Sequence, residues 1–504
     1  MTETHFPIIS VMLALPLLGA LVVGFACHDR LAKIIALLFA GVELLLTLVV
    51  LLLFNAEQGN QFQLLERYDW MPRMHIEYLV GIDGIAVLFL PLSALLTLLS
   101  IAASWNSINH LPRFHFALLL ALESVTLGIF CALDMVLFFL FWELTLPPLF
   151  FLISLWGIGA QRRNAAMKYT LFMLFGGVPL LFAILILAIN HATNVGGAIP
   201  QDLVFSLPKL LETPLPESLQ SVVFLLLLLG FAVKAPLFPL HTWLPTAAME
   251  GPTHIIALLT GLKLGVFGLL RFALPLAPVA TVDYSWILSI LGAITLLYGA
   301  LIALQQTNLR RLLAFASISH VGLVIIGIAS LTLQGLQGAL LQLFNFSVVA
   351  SSLMLIAGFI QQRLGSTEVT HLGGLAQVMP RLTCIYFLFT LASMGMPGTS
   401  GFPAELLLLL SALLINPALG LVALIGAILG AAYMFIFTRR VFFGPIVREP
   451  VAQAQDLRLR ELLLLCVPAL LVLSVGIFPN SIFKITQVSA EAWVQRFHAV
   501  AERK

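Results

Sequence analysis

The sequence predicts an all-α polytopic membrane protein with 14 transmembrane helices, and three observations carry that expectation. Hydrophobic residues make up 61% of the 504 positions and charged residues only 10%, against about 25% charged in a soluble domain. Apolar stretches near the roughly 20 residues that a spanning helix needs recur along the whole chain. The basic residues fall on alternate connections between those stretches, as the positive-inside rule requires.

The first stretch, 7–26, lacks a basic leader and a small-residue cleavage site, so it reads as a retained span and not as a signal peptide. Spans 2 and 3 follow at 32–54 and 81–103. Spans 4 to 8 lie at 114–131, 133–154, 167–190, 221–245 and 254–275. Spans 9 to 13 lie at 285–305, 311–331, 336–361, 382–414 and 416–437, and span 14 at 459–480. Span 7 holds VKAPLFPLHTWLP (233–245), whose prolines forbid a continuous helix. Span 12 is too long for one straight helix, and SMGMPGTSGFPAE (393–405) would break it. Two broken helices five spans apart fit inverted-repeat transporters, which place discontinuous helices at corresponding positions of their halves. The expected organisation is therefore spans 1–3 (1–113), a first five-helix unit (114–275), an inverted second unit (285–437), and span 14 with its tail (438–504). Residues 481–500 read as an amphiphilic interfacial tail.

Charge placement tests this map. With the amino terminus outside, the cytoplasmic loops hold Arg30, Lys33, Arg113, Arg162, Arg163, Lys168, Arg310, Arg311, Arg363, Arg381, Arg439, Arg440, Arg448, Arg458 and Arg460, fifteen of the 25 basic residues. The opposite rim holds only Arg67, Arg73, Lys209 and Arg271, and the carboxyl tail four more. An even number of spans puts both termini outside, which in a bacterium is the periplasm.

Two basic side chains remain, Lys234 and Lys263, both deep inside spans. The deep acids are Glu43, Glu123, Asp134 (near a span end), Glu143 and Glu405. Lys263, Glu143 and His320 each lie about 14–15 Å into their spans, near the middle of a hydrocarbon core about 30 Å thick. A charge there costs about 2.5–3.5 kcal/mol even on lenient scales, so these groups are expected to face the protein interior or a hydrated cavity. Under the repeat register, Lys234 corresponds to Glu405 and Glu143 to His320. Burial disfavours the charged form of an amine and a nearby carboxylate favours it, so making and breaking a Glu143–Lys234 pair would let the lysine take up and release a proton. Lys263 and His320 could relay protons sideways through water, with Glu405 the last stop. His241 and Glu123 are secondary relay positions, His241 otherwise capping the broken helix and Glu123 otherwise sitting, like Glu43, in a helix seam. His254, at a helix start, reads as a rim residue.

Other chemistry is excluded or unsupported. Cys27, Cys131, Cys384 and Cys466 stand far apart with no CxxC, whereas iron–sulfur clusters need grouped thiolates. There is no GxGxxG and no P-loop, so no cofactor and no metal site is expected in this chain. A net charge of +2 argues against a nucleic-acid partner; the lipid bilayer is the expected surrounding.

Several stretches together resemble the antiporter-like subunits of respiratory complex I. These are FFLFWELTLPPLFFLI (138–153), VKAPLFPLHTWLP, GLKLGVFGLLRF (261–272), NLRRLLAFASISHVG (308–322) and LASMGMPGTSGFPAE (391–405). The likeness runs from LVGIDGIAVLF (79–89) to TRRVFFGP (438–445), and is nearest the M type, counterpart of mitochondrial subunit 4. It implies one proton channel driven by quinone reduction elsewhere, in NADH:quinone oxidoreductase, with L- and N-type chains as membrane-arm partners. By motif, Glu143, Lys234, Lys263, His320 and Glu405 match the family's proton-transfer positions. Glu405, where L- and N-type chains carry lysine, favours M. The chain departs from the family at Thr246 (LPTA for LPDA), at Asn308, where the family has an acid, and at Phe346 (Asn-Phe for Asn-His). Beside the pump subunit stand two alternatives: an Mrp-type cation/proton antiporter subunit, and an ion-silent scaffold of a related hydrogenase or carbon-dioxide-uptake complex.

Overall fold

Prolines and glycines decide where the apolar stretches of this chain stop being helical. The computed structural model describes residues 6–446 and 448–502; the terminal residues, on which the expected placement of both termini bears, lie outside them. Helices α1 (Ile8–Gly24) and α2 (Asp29–Leu53) pack together. A hairpin then follows, β1 (Gln63–Met71) and β2 (Ile76–Ile82), antiparallel with Tyr68 opposite Tyr78. It corrects the all-α expectation: these residues are too polar to span, and outside the bilayer the backbone satisfies its donors and acceptors by pairing with itself. The hairpin also shortens span 3. Asp83 Oδ1 accepts from the Ile85 and Ala86 N–H groups at 3.1 and 2.9 Å, holding a turn, so α3 runs only from Phe89 to Ser104.

The first predicted unit comprises α4 (Pro112–Cys131), α5 (Met135–Leu144), α6 (Leu146–Trp156), α7 (Arg162–Asn194), the short α8 (Leu207–Glu212), α9 (Glu217–Lys234) and α10 (Trp243–Glu250). Asp134 caps α5, accepting from Val136 and Leu137 N–H at 2.9 and 3.0 Å. Asp134→Ala is expected to lose about 1 kcal/mol, read as a lower unfolding temperature in detergent. Asp134→Asn keeps the cap without the buried charge and should not lower it.

Span 7 breaks between α9 and α10, as expected. Span 8, expected to be continuous, breaks as well. It consists of α11 (Thr253–Gly261), α12 (Leu264–Gly268), a π-helical turn (Leu269–Ala273) and α13 (Leu274–Leu276), with Leu262 and Lys263 outside helical geometry. The reason lies in packing. A Cβ at Gly265 would collide with the backbone of Lys234 and Ala235, so the second half of span 8 is drawn against the end of α9 and offset from α11.

The rest comprises α14 (Pro278–Asp283), α15 (Ser285–Leu304), α16 (Leu309–Ala329), α17 (Leu333–Leu364), α18 (Leu375–Val378), α19 (Pro380–Ser393), α20 (Gly401–Ile415), α21 (Pro417–Phe442), α22 (Glu449–Ala452), α23 (Leu459–Ile477) and α24 (Asn480–Ala501). Span 12 is broken between α19 and α20, as expected. Among the described residues, 11 segments are long and apolar enough to cross a membrane, and α1, α3 and α20 are shorter apolar helices. The apolar windows of α16 and α17 are 100% buried and that of α2 only 28%, so the polar core runs past α16 and α17 while α2 lies at the lipid edge. Helix α24 is not a free interfacial tail. Ala490, Trp493 and Phe497 are buried, Trp493 Nε1 donates to Leu270 O at 2.9 Å, and Ser489 ties Gly59, in the turn before β1, to Gly84 after β2. Its apolar stripe finds protein where lipid was expected.

Candidate functional site

The breaks in spans 5, 7, 8 and 12 put ionisable side chains beside freed backbone. In span 5 the Pro147–Pro148 pair opens α6, and Thr145 forms the kink between α5 and α6. Lys234, the last residue of α9, reaches that kink. Its Nζ donates to Thr145 Oγ1 at 2.9 Å and to Trp142 O at 3.3 Å, and sits 3.9 Å from the centre of the Trp142 ring. Cation–π attraction strengthens when desolvated, so the indole holds the ammonium where water is scarce.

Glu143 is adjacent but differently placed. Among the described residues it makes no ion pair with Lys234, contrary to the sequence expectation, and its Oε1 is buried without a hydrogen-bond partner. The physical reason is helical geometry: consecutive residues point about 100° apart, so Trp142 faces Lys234 while Glu143 turns to α7. There a Cβ on Gly177 would collide with its carboxylate, which shows how closely the groove fits. The two charges interact through space.

A cavity of about 30 Å³ joins Lys234 to the break in span 8. Its lining includes Thr126, Thr145, Tyr169 and Lys234, with Leu262 and Leu264 bracketing Lys263. A water needs roughly 10–15 Å³ of such volume, so about two fit beside Lys234. Lys263 itself is buried and its Nζ donates to Ser317 Oγ. Ser317 lies one turn before His320 on α16, which is the i, i+3 spacing that stacks side chains on one helix face.

His320 closes the row. Its Nδ1 lies 3.9 Å from Glu405 Oε1, its Nε2 3.4 Å from Tyr433 Oη, and its ring centre 4.2 Å from that of Phe346. The Glu405 separation is longer than a hydrogen bond and matches a gap bridged by one water or a small ring rotation. Glu405 stands on the second turn of α20, and the break in span 12 bends the chain around it, with Gly395 against its carboxylate. Asn345, part of the departing Asn-Phe pair, accepts from Ser400 Oγ at 2.7 Å and so pins that break. Phe346 packs on the His320 ring.

The remaining sequence candidates stand apart. His241 is buried in an aromatic box of Phe238, Tyr298 and Phe315, its Nδ1 without a partner among the described residues. Glu123 and Glu43 are fully buried in the seam of α2 and α4, and among the described residues all four of their carboxylate oxygens lack a hydrogen-bond partner. His254, expected at the rim, is buried against His115. Thr145, Trp142, Ser317 and Tyr433 were missed in the sequence. Ser317 was recoverable from SISH, three residues before the histidine; Tyr433 carried no local signal. The departing Thr246 accepts from Lys168 Nζ at 3.0 Å, and Asn308 donates to Glu368 at 2.8 Å.

Residues 132–430 match the family described as NADH:quinone oxidoreductase/Mrp antiporter, TM. The chain is 34% identical to NADH-quinone oxidoreductase subunit M of Rickettsia prowazekii, covering 98% of this chain and 100% of that one. It is also 34% identical to F420H2 dehydrogenase subunit M of Methanosarcina mazei, with 97% and 98% covered. Among solved structures, a chain of respiratory complex I from Thermus thermophilus superposes with a TM-score of 0.88 at 31% identity, covering 97% of this chain and 99% of that one. A chain of the Mrp complex from Dietzia sp. gives a TM-score of 0.83 at 21% identity, with 98% and 100% covered, a likeness of fold.

Proposed function

Because the chain belongs to the NADH:quinone oxidoreductase/Mrp antiporter family, on its subunit M branch, we propose that it moves protons along the row Lys234, Lys263, Ser317, His320 and Glu405 in a complex I-type membrane arm. The observation that carries this reading is the contact of Lys263 with Ser317, one helical turn from His320, which in turn faces Glu405. Each step is short. A proton passes from Lys234 through the water-sized cavity to Lys263, through the Ser317 hydroxyl to the imidazole, and on to the Glu405 carboxylate. Glu143 acts on Lys234 through space and sets how readily it gives up its proton. Carrying one charge against 100 mV requires about 2.3 kcal/mol, which must come from redox chemistry elsewhere in the assembly. The partners in this reading are L- and N-type antiporter-like chains.

The finer architecture belongs to the same proposal. Eleven long and three shorter apolar segments among the described residues support fourteen crossings. The broken spans 7 and 12, five spans apart, support inverted units at 114–275 and 285–437. The basic loops support a bacterial inner membrane with both termini on the periplasmic side.

The test is proton translocation by the whole complex in sealed vesicles. Glu143→Ala should lower it at least fivefold, an effect of about 1 kcal/mol on the limiting step, and translocation should not depend on added sodium. Parental translocation in Glu143→Ala would favour a scaffold; sodium dependence would favour cation/proton exchange of the Mrp kind.

A further inference from the structure

The proton row needs a supply from the basic face, and one buried contact lies on that side. His115, near the start of α4, and His254, on the first turn of α11, meet Nε2 to Nε2 at 3.0 Å, and both are buried. At that distance one nitrogen carries the hydrogen and the other accepts it. The pair therefore holds one shared proton position, and a proton arriving on one ring can leave from the other. His115 Nδ1 is buried and has no partner among the described residues, leaving that nitrogen as the pair's second proton position. The exposed His110 lies just before α4, and Trp156 joins the two, donating to His110 O at 2.7 Å and packing its ring 4.7 Å from that of His115. The charged group facing the pair is Lys33 of α2, which is itself tied to Trp105 O at 2.7 Å.

From the pair inward runs a line of buried hydroxyls. Ser93, Thr97 and Ser100 share one face of α3 at the i, i+4, i+7 spacing, and all three are buried. Ser100 Oγ donates to His254 O at 3.1 Å, Thr97 Oγ1 to Ser93 O at 3.1 Å, and Ser93 Oγ lies 3.1 Å from Thr126 Oγ1. Thr126 lines the cavity that holds Lys234. Seven residues of helix cover about 10 Å; two of these contacts end on backbone carbonyls, so a proton travelling this face passes between the hydroxyls on water.

We infer that the His115–His254 pair is a proton-uptake site on the basic face, feeding the Lys234 cavity along the hydroxyl face of α3. This rests on the proton-moving reading above. The pair and α3 lie in part outside the family match at 132–430, and α3 is otherwise only a packing helix.

The experiment measures proton translocation by the whole complex in sealed vesicles for His254→Gln, His115→Gln and Thr97→Val, with Glu143→Ala as the reference. The histidine variants should translocate at least tenfold more slowly, short of the roughly hundredfold or more that a positioned proton-transfer group contributes because water can replace part of the path. His254→Ala should recover on adding imidazole, a recovery that a packing role would not give. Thr97→Val keeps the side-chain shape and loses only the hydroxyl, so it reports even if a histidine variant fails to assemble; a severalfold loss is expected. Parental rates in Thr97→Val and the histidine variants, with Glu143→Ala impaired, would overturn the uptake route and leave the pump reading standing. Parental rates in all of them would overturn both.

Discussion

Lys263→Met should abolish proton translocation, with a loss of at least tenfold, or about 1.4 kcal/mol or more on the limiting step, while the chain still assembles. Methionine keeps the unbranched stem and fills the same space, so the break in span 8 and its packing against α9 survive. What disappears is the amine that links the Lys234 cavity to the Ser317 hydroxyl. Among the described residues, Tyr169 is the one other ionisable group lining that cavity beside Lys234, and it makes no contact with Ser317, so the row is cut in its middle. Ser317→Ala removes only the hydroxyl relay, leaves space for water, and should slow translocation by less. Vesicle acidification measured per electron pair transferred checks both. Parental pumping in Lys263→Met would sink the row as a proton path.

Asp83→Asn is the stability counterpart. Arg271 and Asp83 form an ion pair with side chains only 4% and 12% exposed, and the guanidinium lies 5.3 and 5.4 Å from the rings of Phe62 and Phe267. Asparagine still offers Oδ1 to the Ile85 and Ala86 N–H groups, so the turn before α3 stays capped and only the charge is lost. Removing one partner of a buried pair leaves the other uncompensated, at about 3–5 kcal/mol. The expected result is a markedly lower unfolding temperature and less assembled subunit in the membrane. Asp83→Asn with Arg271→Met removes both charges and should recover most of the loss. If Asp83→Asn alone unfolds at the parental temperature, the pair is not what ties the hairpin to the π-helical end of span 8.

The sequence was most legible where composition alone sets the physics. Bilayer thickness fixes the length of an apolar run, so a chain of many membrane-spanning helices could be read from composition alone. Proline cannot donate in a helix, so the break after Lys234 was visible as PLFP. The break at Lys263 was not. Its cause is a glycine whose missing Cβ lets two helices touch, and GLKLGVFG reads equally well as a continuous helix. The hairpin at 63–82 was hidden for a related reason: strand pairing is a relation between two segments, and neither segment alternates cleanly.

The same division runs through the site. That Glu143, Lys234, Lys263, His320 and Glu405 are unusual followed from the sequence, since a charge in hydrocarbon is expensive wherever its helix lies. Which of them touch did not follow. Helix rotation and crossing angles decided that Lys234 meets a threonine, a carbonyl and an indole instead of the neighbouring glutamate, and that His254 finds a second histidine 139 residues away. The chain on its own determined what must be buried in the membrane and roughly how deep, because transfer free energy belongs to each residue. Only the folded arrangement decided the partners, because contact across helices depends on packing between segments distant in the chain.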